Sequence, residues 1–329
     1  MTLIFMFPGQ SSRYPGMLNK FAHLHPDCAQ VIEQASEVLG RDLRHHFREE
    51  NDQAYANNQD IQLGVFLANH MLLKVLDASN IRAKFSLGLS LGEWNHLVHI
   101  GALSFVQALR GVEHRGKLYD SGPSGAMASV FPISLEELEE VAVAAAEGDI
   151  LEVVNRNSPR QQVLSGTRPA LERALTILED EFYVSAEIIE RKLPMHSSLF
   201  RPWGAKFKEY LDNVSFARPR LPYLPNRLGQ VTSEPTDFAS LLSTHLYHPV
   251  LWRRSIDFIV GRYERPVFVE VGPRAILHNL LDRKWHKDIT RLTMDHREDV
   301  ASHQEKVLSR LAELSAPPHL PSLVQGKSA

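Results

Sequence analysis

Residues 88–92 read Gly-Leu-Ser-Leu-Gly, a G-x-S-x-G pattern. Its chemistry is nucleophilic. A serine on a sharp strand-to-helix turn presents its hydroxyl, and the flanking glycines let backbone and substrate approach closely. The same turn aims backbone N–H groups, here that of Leu91, at a developing oxyanion. A plain structural turn is the competing reading, since these residue types are common in loops. Arg115 lies on a helix rich in charge, where an arginine by itself reads as a solvated residue. His196 is one of 16 histidines, so its position alone does not separate a base from a surface residue. No metal is expected: the pair His45-His46 and the scattered histidines lack ligand spacing, and the single cysteine, Cys28, excludes a multi-cysteine zinc site. Neither a Walker sequence nor a dinucleotide fingerprint is present.

A serine in that pattern needs a strand before it and a helix after it. Residues 83–89 read as a short strand, and 93–100 resume as a helix. Around them, 3–7 is a β run ended by Pro8-Gly9, and 27–39, 62–76 and 105–119 carry helical periodicity. This alternation predicts an α/β chain with a parallel sheet. The middle changes character. Strands over 125–132, 150–155, 162–165 and 183–190 interleave with helices over 134–147 and 169–181, the βαββαβ order of a ferredoxin-like module. Helices over 199–211, 237–246 and 301–314 and a strand over 267–271 follow. The expected division is a discontinuous core (1–122 and 194–315), an insert (123–193) and a flexible Pro/Ser-rich tail (316–329).

Composition agrees with two domains or one domain with an insertion: 329 residues, 43% hydrophobic and 23% charged. Lys+Arg 36 against Asp+Glu 39 leaves a net charge of −3, so no basic excess points to nucleic acid or an anionic membrane. The apolar start is short and lacks a basic flank, which reads as a strand, not a signal peptide. No uninterrupted apolar run approaches the ~20 residues of a membrane helix. One unpaired cysteine suits a reducing, cytoplasmic setting.

Several blocks together resemble a family. Phe7-Pro8-Gly9-Gln10, residues 88–93 (GLSLGE), His114-Arg115-Gly116 and Gly125-Ala126-Met127-Ala128 are similar to malonyl-CoA:acyl carrier protein transacylases and the acyltransferases of polyketide synthases. The resemblance continues through residues 155–161 (NRNSPRQ), 194–197 (PMHS), 245–252 (HLYHPVLW) and 270–273 (EVGP), in order along nearly the whole chain. It implies an α/β-hydrolase-like parallel-sheet core with a ferredoxin-like insert. It also implies roles. Ser90 is the acyl-accepting nucleophile and His196 its general base. The amides of Gln10 and Leu91 form the oxyanion hole. Arg115 binds the acyl carboxylate, Gln62 lines the acyl pocket, and Asn155, Asn157 and His245 complete the substrate site. The backbone carbonyl at His245 orients the base. The implied reaction moves a malonyl-type group from coenzyme A to the phosphopantetheine thiol of an acyl carrier protein. No tightly bound cofactor is implied, and the protein is expected to act as a monomer.

Departures bear on the acyl group. Leu89 stands where the family writes histidine, which makes the neighbourhood of Ser90 more apolar. Ser11 replaces a glycine, so the Gln10 loop is expected to change shape. Arg13 adds charge near the entrance, and His245 replaces a glutamine. Arg201, Lys206, Lys208, Arg253, Arg254 and Arg274 offer a basic rim for an acidic partner or, taken singly, solvated helix faces. An acyl-thioester hydrolase of the same fold is the rival reading, and a non-enzymatic carrier-binding module a more distant one.

Overall fold

Leu3–Phe7 is buried at every position, the signature of a strand covered on both faces. It forms β1 of a computed structural model that describes residues 2–315 except 234, 235, 283 and 288. Helices α1 (Met17–Ala22), α2 (Pro26–Leu39), α3 (Leu43–His46) and α4 (Asn58–Ala78) follow. Then come β2 (Phe85–Gly88), α5 (Gly92–His99) and α6 (Phe105–Asp120). The middle of the chain holds β3 (Ala126–Phe131), α7 (Leu135–Ala146), β4 (Leu151–Arg156), β5 (Gln162–Gly166), α8 (Arg168–Ile177) and β6 (Ser185–Glu190). After it lie α9 (Arg201–Leu211), α10 (Phe238–Thr244), α11 (Trp252–Val260), β7 (Val267–Glu270), α12 (Ile276–Leu280), β8 (Thr290–Thr293) and α13 (Val300–Ser315).

Two sheets result. The first is wholly parallel with strand order β2-β1-β7-β8, and β1 pairs Ile4 with Phe85 on one side and Leu3 with Val267 on the other. The second is antiparallel with order β4-β5-β3-β6, the ferredoxin-like arrangement of a βαββαβ unit. It has its own core, in which Ala128, Val130, Leu138, Val153 and Leu164 pack together. A parallel bridge between Asn155 and Val250 ties it to the rest, with Val250 N–H donating to the Val154 carbonyl.

Helix α4 is long and apolar enough to cross a membrane by length and composition, although polar residues interrupt its apolar run. Here it is mostly buried inside the protein, as the hydrophobic spine of the larger core. Its N-terminus is set by Asn57, whose side chain accepts from the Asp60 N–H. Helix α6 starts on a capping box of Ser104 and Gln107 and buries Ala108, Val112, Arg115 and Tyr119 on one stripe. A charged residue therefore lies on a face otherwise built for the core.

Two expected helices differ in ways that matter. The helix read over 237–246 ends at Thr244 and tightens into a 3₁₀ turn, His245–Tyr247. The one read over 199–211 starts as a 3₁₀ turn at Ser198–Phe200. Strand β8 was not anticipated. Its four residues are all half-buried at the sheet edge, so they show no alternation to read. The tail at 316–329 lies outside the described residues.

Candidate active site

The turn after β2 is forced by packing. A Cβ on Gly88 would stand 2.0 Å from the carbonyl carbon of Gly92, and one on Gly92 would stand 2.0 Å from the Phe7 oxygen. Only glycine fits either place. Between them Ser90 adopts φ 50, a left-handed conformation costly for a residue with a side chain. Asn226, 136 residues further on, holds that conformation. Its Oδ1 accepts from the Ser90 N–H at 2.8 Å, and its Nδ2 donates to the Gly88 carbonyl at 2.6 Å. On either side, the Leu89 N–H donates to the Phe7 carbonyl and the Gly92 N–H to the Leu89 carbonyl, both at 2.9 Å. Leu91 caps α5 and Gln10 opens the 3₁₀ turn Gln10–Ser12, and the leading N–H groups of a helix have no intrahelical partner.

His196 arrives from the loop after β6 and is also left-handed, at φ 64. Ser165 of β5 anchors this loop, donating to the Met195 carbonyl at 2.9 Å. The imidazole is buried. Its Nε2 lies 2.8 Å from Ser90 Oγ and its Nδ1 2.8 Å from the His245 carbonyl oxygen. A carbonyl can only accept, so Nδ1 carries the proton and Nε2 is left to accept from the serine hydroxyl. Burial above all, then the nearby His245 and Arg115, hold the His196 pKa well below the usual histidine value. The ring is therefore neutral at pH 7, as a base must be. The carbonyl it uses is freed because α10 has ended at Thr244.

Arg115 enters from α6, 2% exposed. Its Nη1 donates to Gln62 Oε1 at 2.6 Å, and its Nη2 to Ser90 Oγ at 3.1 Å and to the Tyr119 hydroxyl at 3.3 Å. The serine oxygen thus sits between the His196 imidazole and a buried guanidinium.

Behind the pair stands a carboxylate. Glu93 is buried on α5; its Oε1 accepts from the Tyr223 hydroxyl at 2.7 Å and from the Asn226 N–H at 3.2 Å. Its Oε2 lies 3.0 Å from Nδ1 of His245, whose ring stacks on His196 with centroids 4.7 Å apart. A cleft of about 820 Å³ opens next to Leu89, lined also by Asn155, Asn157, Arg13 and Arg274; Ser90, His196 and Arg115 do not line it.

The serine, histidine and arginine that the resemblance singles out therefore meet. Residues 4–313 match the family described as "Acyl transferase domain". The chain belongs to this acyltransferase family. It is 30% identical over 285 residues to a malonyl CoA-acyl carrier protein transacylase of Bacillus subtilis (strain 168), covering 85% of this chain and 90% of that one. The crystal structure of a transacylase of the same name from Clostridium perfringens superposes with a TM-score of 0.87 at 28% identity, over 95% of this chain and 98% of that chain. A type II polyketide acyl carrier protein in complex with its malonyl-transacylase gives 0.86 at 27% identity, over 93% and 100%. The malonyl-CoA:acyl carrier protein transacylases are thus the branch to which this acyltransferase belongs, and it is an enzyme.

Within the acyltransferase, Ser90, His196, Arg115, Gln62 and the His245 carbonyl converge directly, and Gln10 flanks them through a contact of its Nε2 with Met195 Sδ at 3.5 Å. Asn155 and Asn157 line the cleft and touch none of these groups. Ser11 lies inside the 3₁₀ turn Gln10–Ser12 and outside the left-handed region, so its side chain sits there without backbone strain. Arg13 does lie in the cleft, its guanidinium donating to the Gln10 carbonyl at 3.2 Å. Of the basic rim only Arg274 lines the cleft. Lys208 and Arg253 pair instead with acids four residues on, Asp212 and Asp257. Glu93, Asn226 and Tyr119 were missed. The sole signal was the glutamate closing GLSLGE. Among the described residues, no three His, Cys, Asp or Glu side chains cluster to hold a metal.

Proposed function

We propose that this acyltransferase moves a malonyl-type group from a coenzyme A thioester to the phosphopantetheine thiol of an acyl carrier protein through an ester on Ser90. One observation carries the reading: Ser90 Oγ lies 2.8 Å from a neutral imidazole nitrogen and 3.1 Å from a buried guanidinium. Ser90 Oγ attacks the thioester carbonyl carbon while its proton passes to His196 Nε2. The carbonyl oxygen, now an oxyanion, is held by the Gln10 and Leu91 amides. Collapse breaks the C–S bond, and His196 returns the proton to the leaving coenzyme A thiolate. The carrier thiol then attacks the ester, gives its proton to His196, and Ser90 leaves as the free hydroxyl.

Arg115 selects the acyl group. A malonyl ester carries its carboxylate one methylene beyond the ester carbonyl, where the guanidinium exchanges Ser90 for the substrate. The relatives' names, malonyl transacylase in each case, support the same substrate class and an acyl carrier partner. The setting that fits is supply of extender units to fatty-acid or polyketide synthesis.

Intact-protein mass spectrometry after mixing with malonyl-CoA and acetyl-CoA tests this. A malonyl adduct is expected on the native protein and none on Ser90→Ala. Discharge by carrier thiol should outrun discharge by water. Faster discharge by water would instead make the chain a thioester hydrolase.

A further inference from the structure

We infer that Tyr119 is a specificity-determining residue whose phenolic O–H donates a hydrogen bond to the carboxylate of the acyl group beside Arg115. This rests on the malonyl-type reading above and names a second group that reads the same charge.

Tyr119 lies one helical turn after Arg115 on the buried stripe of α6 and is fully buried. The guanidinium carbon sits 4.7 Å from its ring centroid, and Nη2 donates to its hydroxyl oxygen. That bond uses the oxygen as an acceptor, so the hydroxyl proton remains to be given. Burial raises the phenol pKa, so the proton stays in place at neutral pH. Gln62 repeats the pattern. Its Oε1 accepts from Arg115, while its Nε2 is buried and has no hydrogen-bond partner.

Arg115 itself forms no ion pair among the described residues, although it is 2% exposed. Glu93 favours its charge from a distance but does not pair with it, and buried donors without acceptors are costly. The guanidinium thus has only neutral acceptors, beside a phenol and an amide that each keep a donor in hand. A carboxylate supplies what all three need: negative charge and two oxygens with several lone pairs. An acetyl group supplies neither.

The test is kcat/KM for acylation by malonyl-CoA and by acetyl-CoA in four proteins: native, Tyr119→Phe, Arg115→Ala and the double variant. A hydrogen bond to a charged group is worth about tenfold or more. Tyr119→Phe should lower the malonyl/acetyl ratio about tenfold, with acetyl use near native. In the Arg115→Ala background the same change should still slow malonyl acylation, because the contact is made to substrate directly. An unchanged ratio in Tyr119→Phe overturns the inference. So does loss of the effect in the Arg115→Ala background, which would make Tyr119 a prop for the guanidinium. If Tyr119→Phe loses acetyl use as well through misfolding, Tyr119→Met keeps apolar bulk without a donor and is judged by the same ratio. A native enzyme with no preference for malonyl-CoA overturns the malonyl-type reading itself, an outcome separate from the variant results.

Discussion

Oε2 of Glu93 lies 3.0 Å from Nδ1 of His245, and through this pair one buried carboxylate reaches both reactive side chains. On one side His245 stacks on His196 and gives its carbonyl to the imidazole. On the other, Glu93 holds the Asn226 amide, and Asn226 holds the Ser90 amide. Ser90 and His196 are thus both linked to a single point on α5, three residues beyond the serine.

Glu93→Ala should therefore act on geometry more than on affinity. It strands the Tyr223 hydroxyl and the Asn226 N–H in the core, and each unsatisfied buried group costs about 1–3 kcal/mol. The urea midpoint should fall. The single-turnover acylation rate should fall with it, while KM for malonyl-CoA and the malonyl/acetyl ratio stay near native. A changed ratio with an unchanged rate would place Glu93 in substrate recognition.

The environment of His196 sets a pH profile. Its pKa is held well below the usual 6.5, chiefly by burial. A base works when unprotonated, so activity is lost only as pH falls through that lowered value. Single-turnover acylation should be flat from pH 8 down through 6.5. A midpoint near 6.5 would mean that the imidazole is solvated during the reaction.

Much of this was legible because local rules fixed it. The strand-turn-helix around Ser90 follows from two glycines and a β run, and the order βαββαβ follows from alternating periodicities. Arg115 stood out only through its block, since a charge on a helix ordinarily faces solvent. Asn226 and Tyr119 were illegible for opposite reasons. Asn226 is 136 residues from the backbone it holds, and an asparagine before Arg227 reads as a loop residue. Tyr119 falls at core spacing on α6, so its apolar ring explains its place before its hydroxyl is considered. The 3₁₀ turn at His245 was hidden because a helix pattern does not say which carbonyl will be released.

The glycine turn gives a steric prediction. Gly92→Ala places a methyl 2.0 Å from the Phe7 oxygen and 3.0 Å from that of Pro8, both backbone atoms of the loop that carries Gln10. Backbone must move, since no flexible side chain can yield. The protein should lose stability and, where it folds, acyl-enzyme formation should drop by at least tenfold as the Gln10 and Leu91 amides separate. Native-like acylation in folded Gly92→Ala would show that these amides do not act together.

The last prediction concerns stability. Glu270 ends β7 fully buried, accepting from the Leu277 and His278 N–H groups at 3.1 Å and 2.8 Å. Those bonds favour the charged form, but burial outweighs them and pushes the carboxyl from 4.5 up to about 8. The folded state therefore binds this proton more tightly than the unfolded chain does. The associated stability is fully present below pH 4.5 and is lost progressively as pH rises through 8. Glu270→Gln stays neutral at every pH and keeps one acceptor for the α12 amides. Urea midpoints at pH 5 and pH 8.5 should therefore differ less in Glu270→Gln than in the native protein. At pH 5 the variant is the weaker of the two, having replaced one oxygen by a donor, and by pH 8.5 the gap should close or reverse. An identical drop in both proteins would mean that Glu270 ionises without penalty, its two amide bonds outweighing its burial.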